Sequence, residues 1–204
     1  MAFISDEYRE KLTKKFSEVL KDQVTLKFFK QDEEKCPYCK DTQDLLQELT
    51  ELNPLIKLEV HEVGDEESRK YHIEKSPVTV LFSEKFNTGN VRYFGMPSGY
   101  EFGSLIEDIE SFSTGDVDLK DRTVEILKAI DKPVNIRVFI TPTCPYCPGV
   151  VRTAHKFSQI NKNIVSDMVE AYEFEEESEE VGVSSVPHTT INMKEEFIGA
   201  VPED

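Results

Sequence analysis

Apolar positions along this chain switch between two rhythms, and the switching happens twice. Tyr8, Leu12, Phe16, Val19 and Leu20 fall on one face of a helix, and Val24-Thr-Leu-Lys-Phe-Phe29 then takes up the two-residue alternation of a strand. Leu45, Leu46, Leu49 and Leu52 form a second helical stripe, followed by a strand pattern at Ile56–Val60. After an acidic stretch, Ser76–Phe82 reads as a third strand and Asn90–Phe94 as a return strand running into Gly95. Phe102, Leu105, Ile106 and Ile109 close the set with a helix over 102–112.

The second half copies the first. Leu119, Ile126, Leu127 and Ile130 mark a leading helix, Val134–Phe139 a strand, and Val150, Val151, Ala154 and Phe157 a second helix. A weaker strand near Ile164–Met168, then Val186–Ile191 and Glu195–Ile198, complete it, ending at Gly199. Leu20 and Ile130, Val24 and Val134, and Pro77 and Pro187 each lie 110 residues apart. Phe112–Asp118 carries turn residues and no periodicity, so it divides the chain. The 204 residues therefore read as two α/β units, 1–113 and 117–204, each with a central mixed sheet flanked by helices. The second unit reaches Asp204 where its counterpart of the 102–112 helix should begin, and is expected to lack that helix.

A net charge of −16 repels phosphates and anionic lipid, which excludes nucleic-acid and membrane-surface roles. No run approaches 18 apolar residues and the start lacks a signal-peptide pattern, so a soluble, cytoplasmic protein is expected. The chemistry concentrates in the four cysteines, Cys36-Pro37-Tyr38-Cys39 and Cys144-Pro145-Tyr146-Cys147. A Cys-x-x-Cys opening a helix sets two sulfurs one turn apart, within disulfide range. With Pro37 and Pro145 at the first helical position, Cys36 and Cys144 sit at the helix N-terminus, where free amides favour a thiolate. They are the expected nucleophiles, and the more shielded Cys39 and Cys147 the resolving thiols. Lys35 beside Cys36, opposed by Glu33 and Glu34, and the neutral Thr143 beside Cys144 make the two sites unequal. Zinc is the competing reading, but 104 residues separate Cys39 from Cys144, far more than a zinc ribbon uses, and no metal is expected. Ser76-Pro77 and Val186-Pro187, at fixed distance from the cysteines, are expected to be cis bonds facing them. Tyr38 and Tyr146 supply groove surface. His188 reads as packed or solvated, His61, His72 and His155 as surface residues, and the glutamate run from Glu173 to Glu180 as a solvated helix.

A strand, Cys-Pro-Tyr-Cys, a helix and then an x-Pro turn before a hairpin resembles the glutaredoxin/thioredoxin family. The tandem form, over residues 5–204, resembles the protein disulfide oxidoreductases of thermophilic archaea and bacteria. The resemblance implies two thioredoxin-fold units side by side and cytosolic dithiol–disulfide exchange on protein substrates without a bound cofactor. It further implies a thioredoxin-reductase-like flavoprotein as electron donor, and a substrate surface made of Pro37, Tyr38, Ser76, Pro77, Pro145, Tyr146, Val186 and Pro187. The chain departs from the family pattern in two places. Thioredoxins carry a buried acid six residues before the motif, where this chain has Lys30 (or Phe28) and Val138, so proton transfer must use another group or water. The Gly-Gly pair with which glutaredoxins bind glutathione is missing from Gly95–Gly99 and from Gly199–Pro202. A similar tandem forms the electron-relay domain of alkyl hydroperoxide reductase flavoproteins; two intact Cys pairs argue for the oxidoreductase instead.

Overall fold

The computed structural model describes residues 2–203. The first copy of the pattern forms α1 (Asp6–Val19), β1 (Val24–Lys30), α2 (Cys39–Leu52), β2 (Ile56–Glu62), α3 (Glu66–Lys70), β3 (Val78–Ser83), β4 (Val91–Phe94) and α4 (Glu101–Thr114). The second forms α5 (Asp121–Lys128), β5 (Val134–Ile140), α6 (Cys147–Ile160), β6 (Ile164–Glu170), α7 (Glu175–Glu180), β7 (His188–Ile191) and β8 (Glu195–Ile198). Local signals set most of these limits. Ser5 caps α1 by accepting the Tyr8 N–H at 3.4 Å, with Asp6 and Glu7 in the first turn, and Gly115 ends α4 in the left-handed conformation.

The two units share one sheet of eight strands, in the order β2-β1-β3-β4-β6-β5-β7-β8. β1 runs parallel to β2 and antiparallel to β3, β3 antiparallel to β4, and β5 repeats this with β6, β7 and β8. The join is β4 against β6, parallel, with Val91 opposite Ser166 and Phe94 opposite Val169. On one face of the join Arg92 grips Asp167 through two bonds of 2.6 and 2.9 Å, and Asn135 Nδ2 donates to the same carboxylate at 3.1 Å. On the other face α4 and α6 lie side by side, and one apolar core runs under both units from Phe16 and Leu49 to Val151 and Met168.

Three details depart from the sequence reading. α5 spans only Asp121–Lys128, so Leu119 and Ile130 flank it and pack on the core from outside the helix. Ile126, placed on the apolar stripe, is 58% exposed. β6 is a full seven-residue strand rather than a weak one. Its polar Ser166 and Asp167 break the apolar pattern, yet each is buried with partners: Ser166 Oγ donates to Ala154 O at 2.7 Å and Asp167 meets Arg92. Among the described residues no helix is long and apolar enough to cross a membrane.

Candidate redox sites

Strands β1, β2, β4, β5 and β6 all point the same way, so their C-terminal ends form one edge of the sheet. Both Cys-Pro-Tyr-Cys loops leave from that edge, one after β1 and one after β5. Cys36 and Cys39 form a disulfide with their Cα atoms 5.3 Å apart, and Cys144 and Cys147 another at 5.5 Å. Two residues three apart on one turn thus close and open the bond with little backbone movement. Ser76-Pro77 and Val186-Pro187 are both cis. They enter the antiparallel strands beside β1 and β5, where Val78 pairs with Phe29 and His188 with Phe139, so each proline lies at the edge from which its cysteine loop departs. The return strands hold them there, Gly95 N–H donating to Pro77 O and Gly199 N–H to Pro187 O. Pro37, Tyr38, Pro145 and Tyr146 are exposed, Ser76 and Val186 half-buried and Pro77 and Pro187 buried, and Tyr38 and Tyr146 present exposed rings next to the cysteines in sequence.

Helix placement differs from expectation. α2 and α6 begin at Cys39 and Cys147, each after a tyrosine in the N-cap place, so Cys36, Cys144 and their prolines lie in a turn just ahead of the helix. What remains of the helix-terminus effect is a single amide, and the sites use it differently. Cys147 N–H donates to Cys144 Sγ at 3.1 Å, whereas Cys39 N–H donates to Cys36 O at 3.2 Å. The second site therefore already aims a backbone donor at the sulfur that would carry thiolate charge. Shielding differs as well: Cys147 is fully buried and Cys144 is 7% exposed, but Cys36 (1%) is no more exposed than Cys39 (4%).

The sequence motif lacks a buried acid, but α4 of the first unit brings one to the level of the second site. Glu101, the first residue of α4, is fully buried, and loss of hydration pushes its carboxyl up to about 7 against the opposing pull of the Ser104 hydroxyl and His155. α4 and α6 are parallel, as three cross-links show: Arg152 Nη1 to Glu107 at 2.9 Å, His155 Nδ1 to Asp108 at 2.6 Å, and Ser111 Oγ to Gln159 at 3.0 Å. Partners in these links are 45, 47 and 48 residues apart. Carried back to Glu101, that offset reaches residues 146–149, the level of Cys147. The backbone just before Glu101 touches the same loop, Tyr100 N–H donating to Pro142 O at 3.0 Å. Spacing within one unit could not reveal this acid, because it sits 46 residues before Cys147 on a different copy of the fold. Its one sequence signal was a charged residue opening an apolar helix.

His155 is not a surface residue, as its lack of any motif suggested, but is fully buried. It donates toward Asp108 and stands edge-on to Tyr93 with ring centres 4.9 Å apart, and the Tyr93 hydroxyl also donates to Asp108. Burial, with the Asp108 charge beside it, raises the Tyr93 hydroxyl well above its usual range and keeps it a donor. His188 is packed, as expected, against Phe139 and 3.2 Å from Glu196. The glutamate run is only partly solvated. Glu177 bonds Lys75 of the first unit at 2.7 Å, and Glu173 is pushed up to about 7 by burial although the Met96 N–H donates to it at 2.8 Å. Burial likewise raises Glu170.

Four strand-to-strand steps separate β1 from β5, or about 19 Å at the usual spacing. Sulfurs that far apart cannot share one tetrahedral ion, which disposes of a four-cysteine zinc site. Nor can the two pairs exchange directly with each other in this arrangement.

Comparison with known proteins agrees with this architecture. Residues 134–204 match the thioredoxin domain family model. The F subunit of alkyl hydroperoxide reductase from Staphylococcus aureus is 31% identical over 156 residues, which is 76% of this chain but 28% of that protein. The chain thus spans little more than a quarter of those relatives. Among solved structures, the F subunit of alkyl hydroperoxide reductase from Enterococcus faecalis superposes with a TM-score of 0.88 at 28% identity, covering 99% of this chain and 96% of that one. The protein disulfide oxidoreductase of Aeropyrum pernix gives the same TM-score at 32% identity, covering all of this chain and 90% of the other. A shared fold, a shared tandem arrangement and that level of identity over nearly both whole chains lead to one conclusion: this chain belongs to the family of thiol–disulfide oxidoreductases built from two tandem thioredoxin folds, the protein disulfide oxidoreductases.

Proposed function

We propose that the chain reduces, forms and rearranges disulfides in partner proteins through two sites, Cys36–Cys39 and Cys144–Cys147. The observation that carries this reading is that each pair closes a disulfide across one turn at an edge bordered by an exposed tyrosine and a cis-proline. In the reducing direction Cys36 or Cys144, as thiolate, attacks a substrate disulfide, and a mixed disulfide forms as one substrate sulfur leaves and takes a proton from water. Cys39 or Cys147 then loses its proton and attacks the mixed disulfide. Its own pair becomes oxidised, and the substrate has gained two electrons and two protons. At the second site the proton of Cys147 passes to the Glu101 carboxylate; at the first it passes to water. Ser76, Pro77, Val186 and Pro187, with Pro37, Tyr38, Pro145 and Tyr146, form the surface on which an extended substrate segment lies. Electrons return from a thioredoxin-reductase-like flavoprotein, in the cytoplasm.

The test is turnover of a protein disulfide with a small dithiol as reductant, in the full chain and in Cys36→Ser, Cys144→Ser and the double variant. Each single variant is expected to retain one site's share and the double variant none. Full activity in the double variant would overturn the proposal.

The likeness to the F subunit of alkyl hydroperoxide reductase favours a second reading, in which the same exchange relays electrons within a peroxide-reducing system. The two are separated by the substrate. A relay reduces the disulfide of a partner peroxidase far faster than that of an unrelated protein, and a general oxidoreductase does not.

A further inference from the structure

A buried carboxyl serves as a base only if something in the same dry pocket can take up its proton, and the residues behind Glu101 are arranged for that. A carboxylate accepts hydrogen bonds and donates none. Asp108 accepts from Tyr93 and lies 2.6 Å from His155 Nδ1, so the ring proton of His155 sits on Nδ1. Its other nitrogen, Nε2, is then an acceptor, and it is buried with no protein partner. Glu101 is in the complementary position: Oε2 accepts from Ser104 Oγ at 2.7 Å, while Oε1 is buried and unpartnered. Two orphaned polar atoms within one core are costly unless they satisfy each other. Glu101 precedes Asp108 by seven residues, about 10 Å along the helix. The Ser104 bond turns its carboxyl one turn down that axis, leaving about 5 Å to the imidazole, too far for a direct bond between the two unpartnered atoms and the span of one bridging water.

We propose that His155 is a positioning residue for the Cys144–Cys147 site: clamped by Asp108 and Tyr93, its Nε2 shares the proton of the Glu101 carboxyl, so that the carboxylate forms where Cys147 needs a base. This rests on the reading of Glu101 as the proton acceptor for Cys147. The ionisable neighbours of the pair are few. α4 contributes Asp108, β4 contributes Tyr93, and α6 contributes Arg152, whose guanidinium is tied to Glu107 near the surface. The charged Asp167 of β6 lies on the opposite sheet face with Arg92, and Asp121, Arg122, Glu125 and Lys128 of α5 are exposed. The matching place on α2, eight residues after Cys39, holds the exposed Gln47, so the device belongs to the second site alone.

The experiment follows turnover against pH in the full chain carrying Cys36→Ser and Cys39→Ser, so that only the second site reports. His155→Asn keeps a donor toward Asp108 and deletes Nε2. It is expected to move the rise of the rate up by about one pH unit, a roughly tenfold loss on the acid side recovered at alkaline pH. Glu101→Gln is expected to abolish that inflection. If Glu101→Gln keeps the wild-type inflection, the base reading falls and the proposal with it. If Glu101→Gln loses it while a folded His155→Asn does not shift it, the role of His155 alone is overturned. Nitrogen-15 NMR of the unaltered chain gives a readout independent of activity and of the variants' folding. A proton on Nδ1, alone or with one on Nε2, supports the proposal, and a neutral ring protonated on Nε2 overturns it.

Discussion

Gly99 offers the sharpest test of how the first unit holds the second unit's site. It stands two residues before Glu101 with φ +59°, and a Cβ there would lie 2.2 Å from the carbonyl oxygen of Pro142, where ordinary contact begins near 3.4 Å. That oxygen also receives the Tyr100 N–H at 3.0 Å, and it belongs to the loop two residues ahead of Cys144. In Gly99→Ala the left-handed backbone costs about 1 kcal/mol and the strained or lost Tyr100 bond about another. Relief of the contact requires the loop to move by about 1 Å, because the obstacle is backbone rather than a flexible side-chain end. The total, about 2–3 kcal/mol, corresponds to a fall in Tm of about 5–10 °C in a chain of this size. A displacement of that size at the nucleophile's loop is expected to cost the second site about 10- to 100-fold in turnover. The assay is dithiol-driven reduction of a protein disulfide, run once in a Cys36→Ser, Cys39→Ser background and once in a Cys144→Ser, Cys147→Ser background. Only the first should show the loss. Gly103, four residues on in α4, is the control: nothing lies within 4 Å of its Cβ position, and Gly103→Ala should stabilise by about 0.5–1 kcal/mol. If Gly99→Ala leaves both Tm and second-site turnover unchanged, the claim that this contact positions the loop is wrong.

Asp167→Asn removes the charge that Arg92 and Arg137 face within the join of the two units, and urea denaturation should register a loss of about 3 kcal/mol; a loss under about 1 kcal/mol would show the pair to be incidental. Glu173, pushed up to about 7 by burial, holds its proton more tightly folded than unfolded, so its contribution is complete below about pH 4.5 and disappears as pH rises through 7. Glu173→Gln, which keeps an acceptor for the Met96 amide, should therefore match the wild type at pH 4 and exceed it by about 1–3 kcal/mol at pH 8; denaturation curves showing the same difference at both values would contradict this. Because the Cys147 amide reaches Cys144 Sγ while the Cys39 amide is taken by a carbonyl, alkylation of reduced Cys144 should be half-maximal about one pH unit below that of Cys36. Equal profiles from mass spectrometry would remove that asymmetry.

The chain's own pattern determined the two units, nearly every strand and helix, and the four cysteines with their prolines. These depend on interactions close in sequence: periodic burial, turn residues, and the one-turn spacing of Cys-x-x-Cys. Where reading by pattern failed, the cause was a partner from far along the chain. β6 looked weak because Asp167 and Ser166 interrupt its apolar run, and only Arg92 and the α6 backbone make them acceptable inside. His155 looked like a surface residue because nothing near it in sequence reveals Asp108 and Tyr93, and Ile126 looked buried because it continues the apolar stripe, whereas its helix turns that side to solvent.

The tertiary structure alone decided how the two copies become one molecule. Pairing β4 with β6 merges their sheets and lays α4 alongside α6. That contact sets the buried Glu101 at the level of the second site, whose own sequence motif lacks an acid, and the first site has no counterpart of His155 on α2. Covalent spacing along a strand and helix is enough to specify a disulfide. The environment that sets proton affinity is made by whatever surface closes over the site, and here that surface comes from the other half of the chain.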